Sequence, residues 1–322
     1  MVYIGLDLGG TKISGALFSE TNNILLQETL LLERREGKDV TEMIFALCKK
    51  LFELGSIKAE DEKSIGICIP GIAYSKTGNV WAPNINGWEN YPLRDELKRR
   101  FPRSQVIIES DRTCYILGET SQGIAKGCNN AVFMAVGTGI GAGILIDGRV
   151  LHGASDIVGA TGWMALQPPY ISDYDQCGCF ETYASGKGIA LQAKNLIKQN
   201  SGYKGVLSGI PVDNITAHEV FDALKSKDLI AEQVVDKAIE MWGMASANFV
   251  SLFNPEMVVF GGGVFGPAAG FIDRIYLEAR KWAQPIAIKQ CKFTVTQLPN
   301  LAGLYGAGVI AIHNSQNNVG IK

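Results

Sequence analysis

The residues best suited to chemistry lie in glycine-rich turns that follow apolar runs. Asp7-Leu8-Gly9-Gly10-Thr11-Lys12 ends one such run, and Val136-Gly137-Thr138-Gly139-Ile140-Gly141-Ala142-Gly143 ends another. Glycines there let the backbone approach an anion closely, and successive amide N–H groups can point at phosphate oxygens. A carboxylate just ahead of such a turn suits Mg²⁺, usually through water, because hard cations prefer oxygen ligands. Asp7 is the candidate. Gly261-Gly262-Gly263 offers a third close approach, suited to a nucleotide base or ribose, with a helix-entry turn as the alternative. The expected nucleotide-binding residues are therefore Asp7, Gly9, Gly10, Thr11, Lys12, Gly137, Thr138, Gly139, Gly261, Gly262 and Gly263. A plain β-turn would explain either of the first two loops alone; their recurrence in matching positions is what argues for a ligand.

That recurrence comes from the elements that carry them. Residues 2–8 read as a strand, 9–11 as a tight turn, 12–19 as a second strand and 23–32 as a third. The same strand, glycine turn, strand, turn, strand unit begins again at residue 131, about 130 residues later. Such a duplication implies two similar domains, each offering a glycine hairpin to a shared cleft. Elsewhere, helical spacing marks 40–54, 93–101, 111–125, 181–198, 229–253, 271–282 and 306–312, and strands are expected at 64–69, 105–109 and 257–260. Strands alternating with helices make the chain α/β. No G-x-x-x-x-G-K-[ST] occurs, which excludes a P-loop enzyme. A dinucleotide-binding fold is disfavoured, because a β pattern follows Gly9-Gly10 where that fingerprint needs a helix.

Composition narrows the class. The 322 residues, 47% hydrophobic and 19% charged, suffice for two α/β cores. A net charge of −2 gives no reason to expect a nucleic-acid or acidic-membrane partner. Seven scattered cysteines suit free thiols in a reducing compartment, and only Cys177 and Cys179 are spaced like a site. Met1 leads directly into the first strand with no cleavage signal, and no apolar run reaches the ~18–20 residues of a membrane span. The expectation is a soluble, cytoplasmic protein that handles a small molecule.

Seven collinear stretches give the chain a family likeness: Asp7 to Lys12, Ile69-Pro70-Gly71, Ala82-Pro83-Asn84-Ile85 with Gly87-Trp88, Glu109-Ser110-Asp111, Gly137 to Gly143, Gly178-Cys179-Phe180-Glu181 with Ala184-Ser185-Gly186, and Asn254-Pro255 with Gly261-Gly262-Gly263. The sequence resembles the ROK family, which groups bacterial sugar kinases such as glucokinase, fructokinase and N-acetylmannosamine kinase with sugar-responsive repressors. The resemblance implies a two-domain actin/hexokinase-like ATPase fold of duplicated ribonuclease H-like domains with an interdomain cleft. Residues 1–118, completed by a terminal helix at about 304–322, would form one domain and 119–303 the other. It implies ATP and Mg²⁺ as cofactors, and family members are often dimers or tetramers. Asp111 falls at the family's catalytic aspartate, which takes the proton from the substrate hydroxyl as that oxygen attacks the γ-phosphorus of ATP; a helix N-cap is its other reading. Ser110 stands where the family usually has asparagine. Gly71, Asn84 and Glu181 match positions that line the sugar pocket. For Glu181 a first-turn acid favoured by the helix dipole is the alternative.

The sequence also departs from the family. A Gly-Glu-x-Gly-His segment, whose Glu and His bind substrate hydroxyls, is replaced by Gly159-Ala160-Thr161-Gly162-Trp163. That His is also a zinc ligand with three cysteines, of which only Cys177-Gly178-Cys179 corresponds here, and His152 matches no ligand position. Structural zinc wants four ligands, so none is expected, and the stretch 167–176 must be held by packing. A site built to hydrogen-bond a hydroxyl rejects analogues lacking it by up to roughly 10⁴. Loss of the Glu and His therefore points to a ring without an ordinary anomeric hydroxyl, such as a keto-sugar, an anhydro-sugar or a cyclitol such as an inosose, stacked on Trp163. A catalytically inactive sugar sensor is the main alternative. A repressor would need a DNA-binding module of about 60–80 residues ahead of the first strand, and an actin-like filament ATPase leaves Pro83-Asn84 and Glu181 unexplained.

Overall fold

Two copies of one strand pattern organise the molecule. In the computed structural model, which describes residues 1–58 and 60–316, β1 (Val2–Leu8), β2 (Lys12–Phe18), β3 (Ile24–Leu31), α1 (Gly37–Leu54), β4 (Lys63–Ile69), the short pair β5 (Ile72–Ala73) and β6 (Val80–Trp81), α2 (Leu93–Arg100), β7 (Ser104–Ser110) and α3 (Asp111–Gln122) come first. The sheet order is β3-β2-β1-β4-β7. Its first three strands are antiparallel, and β4 and β7 are added in parallel. The second copy is β8 (Ala131–Val136), β9 (Ile140–Ile146), β10 (Arg149–Val150), β11 (Met257–Gly261) and β12 (Lys292–Val295), ordered β10-β9-β8-β11-β12. Here too β8 and β9 are antiparallel, while β11 joins β8 and β12 joins β11 in parallel. Between β10 and β12 lie α4 (Cys179–Ala184), α5 (Gly186–Gln199), α6 (Ala217–Lys225), α7 (Leu229–Phe253), α8 (Ile272–Trp282) and α9 (Ala287–Gln290), and α10 (Ala302–Gln316) is the last element among the described residues.

The chain forms two compact units, Met1–Gly127 with Val150–Val158 and the stretch from Gln297 onward, and Cys128–Arg149 with Gly159–Thr296. The expected division at 118/119 would cut α3, which runs unbroken to Gln122 and packs along α10. Cores follow the period of two along a strand. In β1, Ile4, Leu6 and Leu8 join the cluster formed with Ile44, Leu47 and Leu51 of α1, whereas Tyr3 faces Leu304 and Ala311 of α10. On that second face glycines admit α10: a Cβ at Gly66 would lie 2.1 Å from Ala307 O, and one at Gly306 2.0 Å from Cys114 O. The terminal helix begins at Ala302, earlier than the expected 306, and residues 317–322 of the expected 304–322 segment lie outside the described residues.

In the second unit, the helix expected over 181–198 is two helices. Ser185 adopts an extended ψ of 168° and its hydroxyl accepts the Gly188 N–H at 2.9 Å, capping α5 and ending α4. The long helix expected over 229–253 holds in full. Asp228 caps its start by accepting from Ile230 N and Ala231 N, and Asn254, left-handed at φ 42°, stops it ahead of Pro255.

Candidate active site

In the first unit, the chemistry gathers at the carboxyl ends of three neighbouring strands. Asp7 is paired with Cys68, Cys68 with Glu109, and Ile69 with Ser110, so Asp7, Gly71 and Asp111 leave β1, β4 and β7 at one edge of the sheet. Odd positions of β1 face α10, which sets Asp7 against the start of that helix. A Cβ at Gly303 would come within 2.7 Å of the Asp7 carboxylate, where a helix amino end favours negative charge. Burial nevertheless pushes Asp7 up to about 6 and the charge of Asp111 adds to this, while a hydrogen bond with Cys68 and the charge of Lys12 oppose it.

Asp111 is the first residue of α3, with extended Ser110 before it. Its Oδ1 accepts the Arg112 N–H at 2.8 Å and is 3.3 Å from the Ser110 hydroxyl. Burial raises its pKa against the Arg112 charge and the hydrogen bonds of Arg112 N–H, Ser110 and Tyr115. The Arg112 Nε donates to Ser110 Oγ at 3.1 Å, which fixes the serine that stands where an asparagine was expected. Nothing in the sequence distinguishes Arg112 and Tyr115 as parts of this cluster, since their roles come from packing beside the strand end.

Around this edge, Gly9 N–H donates to Lys12 O at 2.9 Å, closing the β1–β2 turn, and Gly10, Thr11 and Lys12 are exposed. A Cβ at Gly10 would meet nothing within 4 Å. Gly71 is required by its backbone, with φ at +155° and a Cβ position 2.0 Å from Trp81 O. Asn84 is exposed in a loop held by buried Trp88, whose Nε1 donates to Gly37 O at 3.0 Å and whose ring stacks on Tyr91 at 4.9 Å. His152, assigned no role in the sequence, reaches Glu109 Oε1 at 3.1 Å, and that carboxylate raises its pKa.

In the second unit, Gly137–Gly139 and Gly261–Gly263 lie side by side, at the ends of the parallel neighbours β8 and β11. Gly262 has φ +89°, and its Cβ would come within 2.4 Å of Val136 O; Gly137 and Gly263 face open space. Gly137 O accepts from Gly186 N at 2.8 Å, which seats the loop on the amino end of α5. Thr138 is exposed. Glu181 supports the loop from beneath. Its Oε2 accepts the Ile140 N–H at 2.6 Å and lies within 2.8 Å of where a Cβ at Gly139 or Gly162 would be. Burial raises Glu181, opposed by the Ile140 N–H and Lys187. Trp163, in the helical turn Thr161–Trp163, is 57% exposed.

The sequence model of the ROK family matches residues 3–314. The chain belongs to the ROK family. This ROK protein is 31% identical to a glucokinase of Halalkalibacterium halodurans over 95% of its own length and 93% of the relative's. It is also 30% identical to a xylose repressor of Caldicellulosiruptor bescii, over 85% of this chain and 68% of the repressor. Among solved structures, a ROK glucokinase from Streptomyces griseus in complex with glucose and AMPPNP superposes with a TM-score of 0.76 at 27% identity, covering 97% of this chain and 100% of that one. The two-sheet architecture is the ROK hexokinase-like fold. Among the described residues, no helix is long and apolar enough to cross a membrane.

Proposed function

We propose that this ROK protein transfers the γ-phosphoryl group of ATP to a hydroxyl of a sugar-like ring, with Asp111 as general base. Full-length likeness to ROK glucokinases makes it an ATP-dependent carbohydrate kinase; the residue roles and the kind of ring are the proposal. The observation that carries it is the pair Asp7 and Asp111 at one sheet edge, both held above the ordinary carboxylate range by burial. A base works best when its pKa lies near the working pH. Arg112 and Ser110 leave Asp111 in one orientation, so its carboxylate can take a hydroxyl proton while the alkoxide forms.

The residues fit Mg²⁺-ATP. Two partly buried carboxylates repel each other until a cation is present, and Asp7 would hold that cation through water. Mg²⁺ when bound neutralises the charge that gathers on the phosphate oxygens. Gly10, Gly137 and Gly263 have ordinary φ and no neighbour that a Cβ would strike, so neither backbone nor packing demands glycine there. A nucleotide lying against the chain would.

The proposed substrate is a ring lacking an ordinary anomeric hydroxyl: a keto-sugar, an anhydro-sugar or a cyclitol such as an inosose. Support comes from the exposed Trp163 indole and Ala160, which occupy positions where the family usually has His and Glu. A panel of aldoses, keto-sugars, anhydro-sugars and inositols, followed by coupled ADP release, tests this; glucose with the best kcat/KM would remove it. The same two replacements also favour a sensor that binds without turnover. Ligand-dependent melting shifts with no ADP release from any panel member would select that reading.

A further inference from the structure

The ROK resemblance implies a zinc ion ahead of α4, and the donor set here does not fit one. Zinc takes four convergent thiolate or imidazole ligands. Two thiols are present, and each is spent on a different oxygen. Thr182 Oγ1 gives its own proton to Gly178 O at 2.8 Å, so the Cys177 thiol, 3.5 Å away, is the donor to Thr182. The Cys179 thiol donates to Gln167 O at 3.9 Å. Among the described residues no third His, Cys, Asp or Glu joins them in a metal-binding group.

What occupies the place is a set of polar side chains that close the same loop. Gln167 Nε2 donates to Tyr183 OH at 3.4 Å, and Tyr183 OH lies 3.1 Å from Tyr174 OH. Tyr174 is buried, with its ring edge-on to those of Tyr170 and Tyr183 at 6.0 and 6.1 Å. Burial pushes its phenol up, and hydrogen bonds with Tyr183 and Cys179 add to this. Lys237 of α7 lies over the Tyr183 ring, 5.9 Å from its centroid. Gly178, at φ +82°, is pressed so close to Trp163 that a Cβ would lie 2.4 Å from its Cα. The loop, the Trp163 turn and α4 are thereby tied into one piece, and Glu181 is the α4 residue that holds Ile140 N–H under the glycine loop.

We propose that Gln167, Tyr174, Cys179 and Tyr183 form a metal-free staple that replaces zinc and positions Glu181 for the ring. The role of Glu181 rests on the functional reading above, whereas the staple itself is measurable without turnover. Protein purified from zinc-supplemented cells should contain less than about 0.1 zinc per chain, and its melting temperature should ignore a zinc chelator. Tyr183→Phe removes one hydroxyl and should raise the sugar KM by about 5–10-fold while changing kcat less than about twofold. Glu181→Gln should raise KM more, and adding Tyr183→Phe to it should change nothing further, because the tyrosine acts through the glutamate. About one zinc per chain, a chelator-induced fall in melting temperature, or additive effects in the double variant would overturn the staple. Should Glu181→Gln keep the wild-type sugar KM, the substrate reading alone fails. The staple then stands if Tyr183→Phe melts lower without responding to chelator, and falls if it melts as wild type.

Discussion

Replacing Asp111 with Asn isolates proton transfer from folding. The amide oxygen can still accept the Arg112 N–H now at 2.8 Å and meet the Ser110 hydroxyl at 3.3 Å, so the start of α3 keeps its geometry. Burial already disfavours the ionised carboxylate, so a neutral side chain should leave the melting temperature at pH 7 unchanged or slightly higher. The chemical step loses its base, typically worth about 10²–10⁴ in rate, or roughly 3–5.5 kcal/mol in the barrier. Coupled ADP release at saturating ring substrate and Mg²⁺-ATP should therefore show kcat down by at least ~10²-fold, with calorimetric ATP affinity nearly intact. The pH profile gives a second check. Only the deprotonated carboxylate accepts a proton, so wild-type kcat should climb as pH rises through the elevated Asp111 pKa, and the residual rate of the variant should lack that climb. A kcat within about tenfold of wild type, or a loss accounted for by weaker ATP binding or by unfolding, would refute Asp111 as the base.

Two further perturbations separate function from fold. Asp7, pushed up to about 6 from an ordinary 3.8, binds its proton more tightly folded than unfolded, so its contribution to stability falls as pH rises between those values and costs at most about 3 kcal/mol at pH 7. Asp7→Asn should thus raise the urea midpoint at pH 7 in metal-free buffer, flatten the fall between about pH 4 and 6, and abolish Mg²⁺-dependent turnover; a midpoint below wild type contradicts this. Gly137→Ala, where a Cβ meets nothing, should melt as wild type but raise the KM for ATP, whereas Gly262→Ala, at φ +89° against Val136 O, should lose about 2 kcal/mol or more. Equal melting losses in the two variants would mean that the open glycine serves the turn and not a ligand.

The fold was legible where local pattern repeats. Period-two strands separated by glycine turns announce both β hairpin units, and the apolar run of α7 between Asp228 and Asn254 announces its own ends. Less legible was what depends on distant partners. Strand β12 has only four residues, and its place is set by pairing with β11. The break at Ser185 hides inside an apolar stretch because a serine cap reads like any helical serine until its hydroxyl is seen on Gly188 N–H. The α6 capping box, Thr216 with Glu219, is by contrast a purely local signal, written in the residues themselves. At the site, motif spacing marks Asp7 and Asp111, but Arg112, Tyr115 and Cys68 enter only through burial and cross-strand register.

Where a carboxylate is displaced from its ordinary range, the direction separates two kinds of acid. Glu219 is drawn below its ordinary range by the Thr216 hydroxyl and N–H it caps, and Asp222 by Lys225. Asp228 and Glu278 are lowered too: against burial, Tyr203 and helix N–H groups outweigh it for the first, and Lys281 and Trp282 for the second. Each of these finds its partners within the fold, which is how a structural charge is stabilised. Asp7, Asp111 and Glu181 go the other way, because burial exceeds what their neighbours return. All three stand at motif positions of the sequence, and upward displacement in a partly buried acid is the expected mark of a group held ready for an external partner. For Asp7 that partner would be a hydrated cation, for Asp111 a hydroxyl proton, and for Glu181 a ring hydroxyl at the oxygen not already committed to Ile140. The cost of holding these charges half-buried falls on the ligand-free protein, so binding of Mg²⁺-ATP and ring should stabilise the fold by more than their contacts alone would supply.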